Sequence, residues 1–297
     1  MRRGVGVSAL VLTFMAIGTL ATPVAAQNRI KVVATFSVVG DLVQNIGGDR
    51  IDLATLVGPD GDTERYEPTP TDVRALVQSE IIFENGLGSE PWLDRLYRAS
   101  GARAPRIRVS EALDLIHEGD EIDPHVWHDV ANAIVMAGTI RNALVGIDPR
   151  NADVYSANHN AYVTRLQALD AKVTDQIATL PRERRRLVTS HDTFGYFARR
   201  YDFDIVGVGL ASFFTDAQPS AQQINRLVQD IRATGVATVF VENVSDPRIM
   251  QRVANEAGVL VAPQLFTDAL GGRNSPATTY IDMMTYNVNT IVTSLAR

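Results

Sequence analysis

The sequence predicts an α/β chain of two lobes, each with a parallel sheet covered by helices, joined by one long α-helix. Two observations predict it. Short β-branched runs alternate with amphipathic stretches through both halves of the chain, the signature of βαβ units whose strands are buried on both faces. Between the halves lies a stretch, residues 151–180, with apolar side chains at helical spacing and no internal Gly or Pro. At 297 residues and 45% apolar positions the chain can bury cores of that size, which excludes a disordered or collagen-like polymer.

The first element is an export leader. Arg2 and Arg3 precede an apolar run over residues 5–20, and Pro23, Val24, Ala25 and Ala26 follow, with small residues where a signal peptidase reads. Cleavage is expected after about Ala26. The apolar stretch is short and interrupted by Gly4, Gly6 and Gly18, which favours secretion over anchoring, and no later segment is expected to reach a spanning length of uninterrupted apolar residues. The mature chain then divides into an N-terminal lobe (27–148), a connecting helix (149–181) and a C-terminal lobe (182–297). Losing Arg2 and Arg3 moves the formal charge from −6 to −8, a poor balance for binding nucleic acid. The absence of cysteine rules out disulfides, thiolate metal sites, iron–sulfur clusters, thiol nucleophiles and a lipid anchor on an N-terminal Cys. A freely diffusing, monomeric periplasmic protein is expected.

Strand runs of the first lobe are 30–36, 51–57, 81–83 and 107–109; those of the second are 187–189, 205–208, 236–241 and 259–262. After the second run, the turn-rich loop 58–72 closes on a helix start with Thr69 as N-cap, Pro70 in the first turn and Asp72 as the return acceptor. In the mid-chain helix Tyr155, Asn158, Tyr162, Leu166, Leu169, Val173 and Leu180 recur at steps of three, four or seven. It follows Asp148-Pro149, stops at Pro181 and would span on the order of 45 Å, a strut between lobes. The Arg182-Glu183-Arg184-Arg185-Arg186 cluster reads as a solvated turn, since nothing aromatic interleaves it.

Ligands of open parallel sheets bind beyond the carboxyl ends of the strands. Four polar stretches lie in such places: the loop 58–72, Asp123-Pro124-His125-Val126-Trp127-His128-Asp129, Ser190-His191-Asp192-Thr193-Phe194-Gly195-Tyr196, and Phe266-Thr267-Asp268-Ala269-Leu270. Two imidazoles and two carboxylates drawn from both lobes would suit a borderline-to-hard divalent ion if they converge, which the spacing alone leaves open.

As words, "GDTERYEPTP", "DPHVWHDVANA", "TSHDTFGYF" and "FTDALG" are more specific. In that order around a long mid-chain helix, they resemble the family 9 (cluster A-I) solute-binding proteins of bacterial zinc and manganese ABC importers, over essentially all of the mature chain. The resemblance implies two Rossmann-like lobes with parallel four-stranded sheets joined by one long connecting α-helix. It also implies one divalent metal ion per chain in the interlobe cleft, delivered to an inner-membrane ABC permease. It places His125, His191 and Asp268 on ligand positions, and puts Glu64 where the family usually has His. Zinc-type members tend to present three histidines and often a long His- and Asp-rich loop ahead of the second ligand; here residues 111–123 hold a single histidine. Manganese-type members resemble this chain in using two imidazoles and two carboxylates, although their Glu normally sits where His191 stands. A carboxylate at position 64 hardens the site, so Mn²⁺ is expected first and Zn²⁺ next, with Fe²⁺ also admitted, although the intrinsic order still favours zinc over manganese.

His128, Asp192, Glu242 and Ser190 are candidates to orient the ligands, because a metal-bound imidazole usually donates its other N–H to a carboxylate or carbonyl. His128 is expected one turn along a helix start, behind the ligands or exposed, and His117 and His159 on the surface. Tyr66, Trp127, Phe194 and Phe213 are expected to pack around the cleft. A secreted metal-dependent hydrolase could use the same ligands, and a periplasmic metal chaperone or an adhesin the same fold. The chain lacks H-E-x-x-H, G-x-S-x-G and a Gly-rich phosphate loop, so no catalytic residue is assigned and no enzyme is expected.

Overall fold

The computed structural model describes Met1 and residues 29–209, 213, 215 and 219–297. The expected leader and its cleavage point lie outside the described residues, Met1 apart. β1 (Ile30–Phe36) leads into α1 (Ser37–Gly47), and β2 (Ile51–Val57), α2 (Pro70–Gln78), β3 (Ile81–Glu84), α3 (Leu93–Ser100) and β4 (Arg106–Arg108) follow. They form a four-stranded parallel sheet in the order β2-β1-β3-β4, with Ile30 opposite Ile51 and Val32 opposite Ile81. The central strand β1 is buried over almost its whole length, Lys31 excepted, which is why apolar residues stand on both of its faces rather than alternating with polar ones. The cap of α2 forms as the sequence predicts. Thr69 Oγ1 accepts the Thr71 N–H, and the Asp72 carboxylate accepts the N–H of Thr69 at 2.6 Å. Unexpected is a small antiparallel hairpin, β5 (His117–Glu118) with β6 (Glu121–Ile122), whose turn places Gly119 at φ +62°.

A pair of helices follows, α4 (Val130–Ile147) and α5 (Ala152–Ala178). By length and composition α4 is apolar enough to cross a membrane, although Asn132, Thr139, Arg141 and Asn142 interrupt its apolar residues. Its apolar residues Val130, Ala133, Met136, Ala137, Ile140 and Leu144 are buried, and it packs on α1 and α5. The 27 residues of α5 run for about 40 Å. Tyr155, Tyr162, Leu166, Leu169 and Val173 are buried as expected; Ile177 joins them, and Leu180 is buried just past the helix end. Asn158 donates to the carbonyl of Ile46.

The four arginines of the 182–186 turn are held by partners rather than simply solvated. Arg182 pairs with Asp204 at 2.8 Å and with Asp202, while Arg184, Arg185 and Arg186 donate to the carbonyls of Ala296, Leu180 and Thr234. The second lobe then runs β7 (Arg186–Thr189), α6 (Gly195–Tyr201), β8 (Asp204–Val208), α7 (Ala221–Thr234), β9 (Thr238–Val239), α8 (Pro247–Ala257), β10 (Leu260–Val261) and α9 (Tyr280–Leu295). β7 with β8 and β9 with β10 form two parallel ladders. The Phe240 N–H donates to the Val188 carbonyl at 2.8 Å and brings the two ladders side by side, four strands in the order β8-β7-β9-β10.

The largest apolar core does not stop at a lobe boundary. It joins the first sheet, α1, α4 and α5 to Leu187, Phe194 and Phe197, and to Tyr280, Met283, Met284, Val288 and Ile291 of α9. A smaller cluster of Val188, Ile224, Leu227, Ile231, Val239, Met250 and Val253 fills the far side of the second lobe. Hydrogen bonds add to the junction: Tyr280 N–H to Asp41 Oδ2 at 3.0 Å, Leu270 N–H to Ser37 Oγ at 2.9 Å, and Asp60 N–H to the Leu270 carbonyl at 2.8 Å. An uninterrupted helix set in a shared core resists a wide hinge motion. Solution scattering of metal-free and metal-loaded protein is therefore expected to give radii of gyration within about 1 Å of each other. A wide separation of the lobes in either state would contradict this.

Candidate metal centre

Four loops at the carboxyl ends of strands supply the site. Beyond β2, Asp62 Oδ1 accepts the N–H groups of Glu64 and Arg65 at 3.0 and 3.2 Å and folds the loop into an Asx-type turn. Glu64 Oε2 accepts the Thr215 N–H, and the Thr215 hydroxyl donates to Asp62 Oδ2 at 2.8 Å. Glu64 Oε1 is left buried and without a donor.

His125 precedes a 3-10 turn over Val126–His128. Asp123 Oδ1 accepts its backbone N–H at 2.9 Å and lies 2.8 Å from its Nδ1, which turns Nε2 toward the other loops. That nitrogen lies 3.5 Å from Asp268 Oδ1 and 3.8 Å from Glu64 Oε1. His191, just past β7, is held in the same manner by Glu242. Oε1 accepts the N–H groups of Ser190 and His191 at 2.7 and 3.1 Å, and Oε2 lies 2.6 Å from His191 Nδ1. His191 Nε2 is 3.2 Å from Asp268 Oδ2, and the two imidazole rings are 5.2 Å apart.

The four expected ligands are thus brought together from both lobes. Donor atoms of Glu64, His125 and His191 lie within 4.8 Å of one another, as do those of His191, Glu242 and Asp268. His125 Nε2, His191 Nε2, Glu64 Oε1 and both oxygens of Asp268 are buried, and none is met by a well-formed hydrogen bond among the described residues. Buried polar atoms left in that state are costly, and a cation placed among them satisfies all five at once. Two imidazole nitrogens with carboxylate oxygens suit a divalent transition metal.

Electrostatics define the metal-free state. Burial, together with the neighbouring Asp268, pushes the Glu64 carboxyl up to about 7. Burial also pushes Asp268 upward, but His191 and His125 outweigh it and bring that carboxyl down to about 2. For His191 and His125 burial works against the proton, yet Glu242 and Asp268 around the first, and Asp123 and Asp268 around the second, raise both imidazoles above their ordinary value. An entering metal ion must displace those protons, so binding should release protons and weaken on acidification, by about tenfold per pH unit for each proton displaced. Calorimetric titration in buffers of different ionisation enthalpy counts them. Binding with no proton release between pH 6 and 8 would contradict this electrostatic picture.

Of the residues expected to orient the ligands, Glu242 grips His191 directly. Ser190 contributes its backbone N–H, while its hydroxyl has no partner among the described residues. Asp192 makes no hydrogen bond to either imidazole among the described residues; burial, with Asp123 and Glu118 nearby, pushes its carboxyl up to about 6. His128 departs from the exposed alternative. The 3-10 turn directs it inward, its ring 4.8 Å from that of Phe194 and 5.7 Å from that of Trp127, with no hydrogen bond to either nitrogen. Burial and the charge of His125 depress it to about 3, so it is a neutral packing group. His117 is exposed, and His159 is half-buried on α5. Tyr66 packs edge-on against Trp92, and Phe213 lies 6.5 Å from the His125 ring. Sequence reasoning missed Asp123 and Thr215. Asp123 was signalled by standing two residues before His125; Thr215 carried no motif.

Comparison with known proteins adds the following similarities. The family model of the periplasmic zinc-uptake complex component A, ZnuA, matches residues 32–294. The manganese-binding lipoprotein MntA of Halalkalibacterium halodurans is 37% identical over 270 residues, covering 90% of this chain and 89% of its own. The manganese ABC transporter substrate-binding lipoprotein PsaA of Streptococcus mitis is 32% identical over 284 residues, 92% of this chain and 91% of its own. Among solved structures, the periplasmic zinc binding protein TroA from Treponema pallidum superposes with a TM-score of 0.86 at 31% identity, over 91% of this chain and 100% of that one. The Mn-bound periplasmic metal binding protein from Candidatus Liberibacter asiaticus gives 0.82 at 26% identity, over 90% and 100%.

Proposed function

The chain belongs to the zinc-uptake component A family of periplasmic metal-binding proteins, and from that premise we propose how it serves as the substrate-binding component of a metal ABC importer. It is not an enzyme. Glu64, His125, His191 and Asp268 hold one divalent ion as cargo, and the observation that carries this is the ring of five buried donor atoms from two imidazoles and two carboxylates that lack hydrogen bonds. Protein groups supply the coordination sphere, as a capture site requires; a catalytic metal keeps an open position for water.

Manganese is the favoured cargo, zinc the next and iron a third. Two imidazoles with two carboxylates support this order, as do relatives named for manganese. The partner is an inner-membrane permease. Those relatives are lipoproteins, whereas this chain has no cysteine to lipidate, which supports a form without that anchor; on our reading it is a monomer, cut after about Ala26, that diffuses freely in the periplasm. Its lobes divide at the connecting helix, residues 149–181. Elemental analysis of protein purified from its native periplasm, followed by competitive metal titration, is expected to find one equivalent of manganese. Protein that carries no transition metal and takes none up in titration would overturn the assignment.

A further inference from the structure

We propose that Trp92 and Trp127 are positioning residues that aim the carboxylate ligands Glu64 and Asp268 at the metal. This rests on the ligand set proposed above. The chain has only these two tryptophans, and each donates its indole N–H to the carbonyl of the residue immediately before a carboxylate ligand. Trp92 Nε1 donates to Thr63 at 2.7 Å and Trp127 Nε1 to Thr267 at 2.9 Å.

The chemistry of the ligands explains the arrangement. An imidazole that binds metal through Nε2 has a second nitrogen to be gripped, and Asp123 and Glu242 face that nitrogen in His125 and His191. A carboxylate can be gripped only through an oxygen that the metal leaves free, as the Thr215 N–H grips Glu64 Oε2, and neither Asp268 oxygen has such a donor among the described residues. Glu64 and Asp268 also stand in irregular loops, where no helix or strand fixes the direction of the side chain. Holding the preceding peptide sets that direction without occupying an oxygen. An indole suits this task because it donates one hydrogen bond, accepts none and has few rotamers.

Both indoles are themselves fixed. Trp92 packs edge-on against Tyr66 at 5.2 Å. Its loop is fastened by the buried Glu90 carboxylate, which accepts from the Asn85 and Gly86 N–H groups and from the Thr35 and Ser89 hydroxyls at 2.7 to 3.0 Å. Trp127 packs edge-on against Phe36 and His125, and its own carbonyl accepts the Tyr280 hydroxyl at 2.7 Å. Trp127 thus reaches from the turn that carries His125 to the loop that carries Asp268, whereas Trp92 acts within the first lobe.

The test uses Trp92→Phe and Trp127→Phe, which keep an aromatic ring and remove the donor, with Zn²⁺ as the probe so that weakened variants remain measurable. Each substitution is expected to raise Kd about tenfold. Thermodynamic coupling separates aiming from general destabilisation. Trp92→Phe should cost less than about twofold in a Glu64→Gln background and its full effect in an Asp268→Asn background, with the reverse pattern for Trp127→Phe. Should Trp127→Phe fail to fold, expression in a tryptophan auxotroph supplied with β-(3-benzothienyl)alanine replaces both indoles by an isostere without the N–H, and a weakening of about a hundredfold, the product of the two single effects, is expected. Unchanged affinity, or equal losses in every background, would overturn the proposal. If Glu64→Gln and Asp268→Asn bind zinc like the parent protein, the ligand set itself fails and this inference with it, a distinguishable outcome.

Discussion

Metal-loaded protein is expected to melt about 7 °C or more above the same protein stripped by a chelator. An ion that binds only the folded state adds RT ln(1 + [L]/Kd), roughly 4 kcal/mol at a thousandfold excess over Kd. For a chain of this size each kcal/mol is worth about 2 °C. The source of the gain is local: five buried donor atoms without well-formed hydrogen bonds acquire a common partner. His191→Ala should remove most of the metal-dependent rise. It leaves Glu242 accepting the backbone N–H groups of residues 190 and 191, so the metal-free fold should survive the substitution. Calorimetric scans of both proteins, with and without metal, measure the two effects. Equal melting of stripped and loaded parent protein would mean that the site does not hold an ion.

Glu64→His is expected to raise the ratio of zinc to manganese affinity by about tenfold or more. A neutral imidazole in place of a carboxylate makes the site less anionic and softer, and nitrogen donors favour zinc over manganese. The substitution also removes the oxygen that accepts the Thr215 N–H, so absolute affinity can fall for both ions. The ratio is therefore the informative quantity, obtained by competitive titration of one protein with both metals. An unchanged ratio would show that Glu64 is not a ligand and that water completes the sphere.

Much of the frame was legible because it depends on local pattern. β1 and β2 occupy the predicted residues, the Thr69-Pro70-Asp72 cap forms, and the long helix covers 152–178 within the predicted 151–180. The second lobe was less legible. The predicted strand runs at 236–241 and 259–262 pair over only two residues each, because strand length is set by the partner's path and not by composition. The hairpin at residues 117–122 has too few residues to show a period. At the site, the words around His125, His191 and Asp268 identified candidates, but convergence is a property of the fold. His128 shows the limit: a spacing of three suggested one helical turn, whereas the 3-10 turn rotates the ring into an apolar pocket. Thr215 lies far from Glu64 in sequence, and its contact arises only when the lobes meet.

The placement of α9 bears on how the protein is made. The last helix of the chain lies against α5 and α1, and its first residue bonds to Asp41 and to the Trp127 carbonyl. The apolar surface of the N-terminal half is therefore finished by a segment that follows it far along the chain. Until that segment is in place Tyr162, Leu166 and their neighbours lack part of their cover, a window in which the nascent protein depends on holding factors and is exposed to proteases. Contacts of such long sequence separation slow folding and make it all-or-none. A stop codon that removes only residues 280–297 would then leave an aggregation-prone product, although every proposed metal ligand lies upstream of it.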